Sequence, residues 1–240
     1  MTLAWAAAAV DIAAASFVMG LAGFGIALIA LAFLPYLMSA ADAIVLLTIY
    51  AAAMSLAMLV HLRRDVEPRA IFHLVLGTIA GTPLGVWGLA SLPASALNRL
   101  IGLMLVVAFV LEARGLYPRR LEGRRWGIGA GVLAGAIGGA VGLPGPPTVL
   151  YAATRGWSAR AVKANLQAFF VVNQGAILIG YWWAGLLTRP VWDLTQGFAA
   201  PAAAGVIAGV LMFERVDPRR FRQVIFALIL LSGLVLLVRG

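Results

Sequence analysis

The chain has no cysteine, so neither a disulfide nor a thiolate metal site can form. Its two histidines, His61 and His73, are too few for a His-Glu-x-x-His zinc motif. Nine acidic residues face 18 basic ones, and lysine occurs once, at Lys163. There is no Gly-x-Ser-x-Gly elbow, no Gly-Lys-Ser/Thr phosphate loop and no acidic pair within an apolar run. With one lysine and no thiol, covalent catalysis has little to work with. These absences speak against an enzyme: no catalytic residue, metal or cofactor is expected.

What fills the chain is apolar. Of 240 residues 63% are hydrophobic and 11% charged, with a mean hydropathy of +0.99. An ordinary soluble domain is only about half apolar. Nearly all charges fall between apolar runs of about 20 residues, the length a helix needs to cross a bilayer. The runs are continuous and rich in Ala, Leu and Gly, without the alternation of barrel strands. The expected fold is an all-α integral membrane protein. Met1 to Phe17 carries Ala-x-Ala spacings like those of a cleavage site, but it lacks a basic start and is interrupted by Asp11. It is read as a membrane segment. The net charge of +9 is spread over short loops rather than one face, which signals topology and not nucleic-acid binding.

Two apolar segments are broken in matching places. The first break is Gly20-Leu-Ala-Gly23-Phe-Gly25 and the second Gly138-Gly139-Ala-Val-Gly142-Leu-Pro144-Gly145-Pro146-Pro147. A shift of 119 residues lays Gly23 on Gly142, Met38-Ser39-Ala40 on Trp157-Ser158-Ala159, Thr48 on Gln167 and Ser55 on Gln174. Paired Gly/Pro interruptions in two halves of a membrane protein point to a transporter's binding site.

Charge tests the topology. If all eight apolar segments cross once, basic residues divide 10 against 8 between the two sides. If the broken segments instead enter and return as hairpins, 15 of the 18 lie inside, with only Arg99, Arg189 and Arg239 outside. Cytoplasmic loops carry the excess of Lys and Arg, which selects the hairpins. The expectation is two inverted structural repeats, each a glycine-broken re-entrant helical hairpin plus three transmembrane helices. The first repeat covers 1–113, with a hairpin at 3–38 and spans at 41–61, 70–90 and 96–113. A basic cytoplasmic linker follows at 114–125. The second repeat covers 126–240, with a hairpin at 127–156 and spans at 161–186, 191–213 and 221–238.

Non-helical backbone in lipid costs several kcal/mol per unpaired group, so such breaks must be buried or line water. Hairpins entering from opposite faces bring their tips, Gly23 and Gly25 with Gly142, Gly145 and Thr148, toward the midplane. Helix starts there would supply backbone N–H groups to an anion. Intramembrane polar residues are costly and hence candidates by default. Gln167 and Gln174 share one helical face, with Asn173 beside them, and Thr48 and Ser55 share the same spacing. Together they form a neutral hydrogen-bonding cage, or else serve as interhelical glue. Asp11, the one acid well inside an apolar run, is the candidate for proton or sodium coupling. Thr78, Thr82 and Pro83 line the cavity or bend their helix. Gly77, Gly81, Gly85, Gly205 and Gly209 are expected to permit tight helix packing. Trp87, Trp157, Trp182, Trp183 and Trp192 mark membrane interfaces. His61 and His73 anchor at the membrane edge, and Arg155, Arg160 and Lys163 signal topology or draw anions to a cytoplasmic entrance.

The two glycine patterns, with Asp42 to Ser55 after the first and Ala161 to Gln167 after the second, resemble the sulfite exporter TauE/SafE family, also called toluenesulfonate uptake permeases. The similarity covers nearly the whole chain as two related halves. It departs from the family pattern in a first break poorer in glycine and in the crowding of Pro144 and Pro146. The resemblance implies a secondary transporter of the bacterial inner membrane that exports small sulfur-containing anions such as sulfite, sulfoacetate or other organosulfonates. Gating would then follow from rocking of one repeat against the other. Its partners would be a small anion and the bilayer, with a homodimer and a coupling ion left open. The alternatives are a carrier of another small anion such as a carboxylate, a channel, and a non-transporting membrane anchor subunit.

Overall fold

The computed structural model describes residues 3–114, 123–212 and 229–238. Most of the basic linker, including Arg119 and Arg120, lies outside these residues, as do the Arg215–Arg222 cluster and the first part of the 221–238 segment. Every described regular element is helical. In chain order they are α1 (Leu3–Ala22), α2 (Ile26–Ala30), α3 (Ala40–Leu62), α4 (Pro68–Ser91), α5 (Ala94–Ala113), α6 (Arg124–Val141), α7 (Gly145–Ala153), α8 (Ala159–Trp183), α9 (Arg189–Gly197) and α10 (Ala199–Leu211). A last helix, α11, runs Ile229–Val238. Five of them, α1, α3, α4, α5 and α8, are long and apolar enough to cross a membrane, and a sixth span appears if α9 and α10 count as one.

The segment expected to be a single span at 191–213 is bent by 49° between α9 and α10. Pro201 explains the bend: it has no N–H for the Gly197 carbonyl, and its ring collides with that carbonyl in a straight helix. Phe198 at the corner is buried and stacks on Trp5 of α1 at 5.0 Å.

The helices form two compact units, each drawn from both halves of the sequence. Unit 1 holds residues 1–47, 92–114 and 187–240. Unit 2 holds 48–91 and 115–186. Within unit 1, α1 packs along α10 and α2 folds back on α1. Within unit 2, α6 packs along α4, α7 returns on α6, and α8 covers α4 and α6. Each hairpin helix thus lies against a helix of the other half of the sequence.

Glycine makes both seams. A Cβ on Gly85 would stand 2.8 Å from the Gly139 Cα, and one on Gly77 2.9 Å from the Gly131 Cα. One on Gly81 would stand 2.8 Å from the Val132 carbonyl carbon. In unit 1, a Cβ on Gly20 would run into the Val206 carbonyl oxygen, and one on Gly205 into the Ala13 carbonyl oxygen. Real Cβ atoms essentially never approach other atoms within 3.0 Å, so these positions exist to let backbones touch, as small residues do between membrane helices. Rocking of one sequence half against the other would have to open both seams.

Candidate functional site

The two breaks differ in construction. At the second, α6 ends on Gly142 in the left-handed region (φ 69°), which only glycine adopts without strain, and the Gly142 N–H bonds the Gly138 carbonyl at 2.8 Å. Leu143 and Pro144 cross over, and α7 starts at Gly145. A helix start normally leaves four N–H groups without an intrahelical acceptor. Here Pro144, Pro146 and Pro147 occupy three of those four positions and carry no N–H. Only the Gly145 N–H remains, at the positive end of a nine-residue helix. Thr148 is buried and closes the turn, its hydroxyl reaching the Pro144 and Gly145 carbonyls at 3.1 and 2.8 Å. At the first break Gly23 and Gly25 have φ of 83° and 97°, and the α2 that follows is only five residues long. So short a helix has little dipole to offer.

Side chains supply what the backbone lacks. Around the place where a Cβ on Gly138 would stand lie Pro144 Cβ at 3.0 Å, Ile177 Cδ1 at 3.1 Å and Asn173 Oδ1 at 3.5 Å. Asn173 of α8 is therefore held against the break. Its amide nitrogen donates to the Thr78 hydroxyl of α4, so one short chain of contacts ties α4, α8 and the α6–α7 turn together. Thr82 in turn donates to the Thr78 carbonyl at 2.7 Å, beside the exposed Pro83.

Unit 2 also buries Ser55 and Gln174, and neither Ser55 Oγ, Gln174 Oε1 nor Asn173 Oδ1 has a hydrogen-bond partner among the described residues. Leaving such a group unpaired in an interior costs about 1–3 kcal/mol, so three in one unit call for an explanation. Gln167 is buried in the same helix. Thr48 is committed elsewhere: it hydrogen-bonds the Tyr181 hydroxyl, which donates to the Gly139 carbonyl at 2.8 Å.

Of the residues singled out in the sequence, Thr48, Ser55, Gly142, Gly145, Thr148, Gln167, Asn173 and Gln174 all belong to unit 2. Gly23, Gly25 and Asp11 belong to unit 1. Asp11 is 9% exposed on α1, and its Oδ2 has no partner among the described residues. Ser16, which sequence reasoning passed over, is fully buried on the same helix with its Oγ equally unpaired. A lone serine in an apolar run was the available signal. Asn165 proves structural on one side, accepting from the Glu67 N–H at 2.7 Å.

One end of unit 2 is clasped. Arg160 at the start of α8 pairs with Asp65, in the loop between α3 and α4, at 2.9 Å. Together with the Glu67–Asn165 bond this holds that loop beside the start of α8. Trp87, Trp182, Trp183 and Trp192 are exposed and Trp157 half-buried, an arrangement that suits rings facing lipid headgroups.

No curated protein and no solved structure shows significant similarity to the chain. A family match does: the family described as sulfite exporter TauE/SafE covers residues 8–236. With at least five apolar helices and a match over nearly its whole length, this multi-pass membrane protein belongs to the sulfite exporter TauE/SafE family, a family of transporters rather than enzymes.

Proposed function

We propose that the chain is a secondary transporter that exports a small sulfur-containing anion (sulfite, sulfoacetate or another organosulfonate) across the bacterial inner membrane. The observation that carries the reading is the polar interior of unit 2. There Asn173, packed against the α6–α7 break, shares the unit with Gln174 and Ser55; the Ser55 hydroxyl, without a partner among the described residues, can donate, and a half-turn of the Gln174 amide replaces its unpartnered oxygen by its N–H groups. Uncharged amides and hydroxyls suit an oxyanion that must be released again, because no buried counter-charge holds it. The Gly145 N–H adds one backbone donor. The family match supports the substrate class.

The hairpin topology belongs to the same proposal. The return of α7 on α6 and the Arg160–Asp65 pair support it, since eight single crossings would place Asp65 and Arg160 on opposite sides of the membrane. The inverted repeat rests on the paired breaks and on the exchange of partners, α1 with α10 and α6 with α4. A single Cys at Ser158 is expected to label from the cytoplasm and one at Ser39 from outside. Labelling of both from one face contradicts the inversion. Asp11, buried in unit 1 with its Oδ2 unpartnered among the described residues, is proposed to bind the coupling proton or sodium ion.

Counter-flow in proteoliposomes tests the function, with sulfite, sulfoacetate, taurine, methanesulfonate and acetate as substrates. Saturable exchange of the sulfur anions supports the reading. Exchange of acetate alone transfers the function to a carboxylate carrier, non-saturating flux to a channel, and no flux of any anion to an anchor subunit.

A further inference from the structure

Arg155 has no role in the site described above, and its surroundings are unusual for a residue that only marks topology. It follows α7 directly, and its guanidinium lies over the Tyr151 ring at 4.2 Å from the centroid. One terminal nitrogen donates to the Tyr151 hydroxyl. The Nε is buried, and among the described residues it has no acceptor and no carboxylate pairs with this arginine. Its neighbour Arg160 has Asp65, so unit 2 does supply counter-charges where the structure calls for them.

The ring beneath Arg155 is itself fixed. Tyr151 is 1% exposed and meets Trp157 edge-on at 6.4 Å between centroids. Its hydroxyl lies 3.1 Å, and the His73 Cβ 2.8 Å, from the place where a Cβ on Gly127 would stand. The start of α6, the start of α4 and the end of α7 therefore converge on one point, packed so closely that residue 127 must be glycine. A hydroxyl that accepts from Arg155 keeps its own hydrogen to donate. A fixed cation with a buried, unused N–H next to a hydroxyl donor has the recognition chemistry of an oxyanion site, where a charge-assisted bond to Nε and a second bond from the tyrosine share one ligand.

We propose that Arg155 and Tyr151, held where the starts of α4 and α6 meet the end of α7, form a second oxyanion site at this end of unit 2, separate from the Asn173–Gln174 interior. It takes a sulfonate-like or phosphate-like group, from a free anion or from a lipid headgroup. As an entry site for substrate it rests on the anion-transport reading; as a binding site it does not.

Calorimetric titration of methanesulfonate and of inorganic phosphate into the full chain in phosphatidylcholine nanodiscs tests it. Two anions are expected to bind per chain. Arg155→Gln removes one and Gln174→Ala the other, and Arg155→Lys keeps the charge but weakens the first by about tenfold, having lost the planar donor fork. Repeating the titration in phosphatidylglycerol nanodiscs separates the sources: competition at the Arg155 site assigns it to a headgroup, and unchanged binding assigns it to the free anion. Equal stoichiometry and affinity in wild type and Arg155→Gln at matched melting temperature overturns the proposal. Absence of any Arg155-dependent binding in both lipids does the same. If Gln174→Ala alone changes nothing, the interior site of the proposed function fails while the Arg155 site stands.

Discussion

The two units meet the same packing problem and then diverge. In both, a hairpin helix is laid backbone to backbone against a helix from the other half of the sequence: α1 on α10 through Gly20, Gly205 and Gly209, α6 on α4 through Gly77, Gly81, Gly85, Gly131, Gly135 and Gly139. Unit 1, among its described residues, then fills its interior almost entirely with Ala, Ile and Leu, leaving Asp11, Ser16 and Ser232 as the buried polar ones. Unit 2 buries Thr48, Ser55, Thr78, Thr82, Thr148, Asn165, Gln167, Asn173 and Gln174. A shared scaffold with unequal polarity suits the proposed division of labour, with substrate contacts in unit 2 and Asp11 as the buried acid among the described residues of unit 1.

The seams offer the sharpest way to break this comparison. Gly81→Leu drives a side chain into the Val132 backbone and is expected to abolish the folded protein, and Gly209→Leu to do the same in unit 1. Gly81→Ala should cost about 1–3 kcal/mol, read as a lower melting temperature in detergent. Gly129 and Gly175, whose Cβ positions meet nothing within 4 Å, should accept alanine without measurable loss. Equal tolerance at Gly81 and Gly129 would remove the packing argument.

Function separates the units next. Asn173→Ala and Gln174→Ala should lower sulfonate counter-flow by more than about tenfold, with folding changed by about 1 kcal/mol for the lost interhelical bond at Asn173. Asp11→Asn should leave counter-flow intact, since exchange needs no gradient, and eliminate accumulation driven by a proton or sodium gradient. Loss of both activities in Asp11→Asn would give unit 1 a structural or substrate-binding role instead.

The smallest effect belongs to the clasp. Arg160 is 71% exposed on its side chain, so the pair with Asp65 is screened by solvent. Asp65→Asn should cost at most about 1 kcal/mol, less at high salt, and leave the interior of unit 2 working.

Much of this was legible in the residues. Glycine at 23, 25 and 142 marked the chain reversals because those positions need positive φ, and all three have it. The polar positions of α8 stood out against their apolar run, and each of Asn165, Gln167, Asn173 and Gln174 is buried. Choice of partner was not legible. Glycines spaced four apart announce a face for close approach but not the helix that will use it, so the pairing of α1 with α10 and α6 with α4 needed coordinates. Donor supply at α7 could have been read earlier: three prolines in the first four positions already strip all but the Gly145 N–H. The bend at Phe198 was equally present in Pro201, hidden by counting hydropathy and ignoring the missing amide.

The central claim is that a sulfur oxyanion reaches the polar interior of unit 2. Because the native chain has no cysteine, Ile177→Cys, which stands beside Asn173 at the α6–α7 break without belonging to the binding set, carries a single reporter, and its labelling by a water-soluble thiol reagent can be followed with and without methanesulfonate. Labelling should be slow and suppressed by methanesulfonate in a saturable way, while a cysteine at exposed Ser158 labels at one rate throughout. Labelling of Ile177→Cys that no sulfonate slows would contradict it.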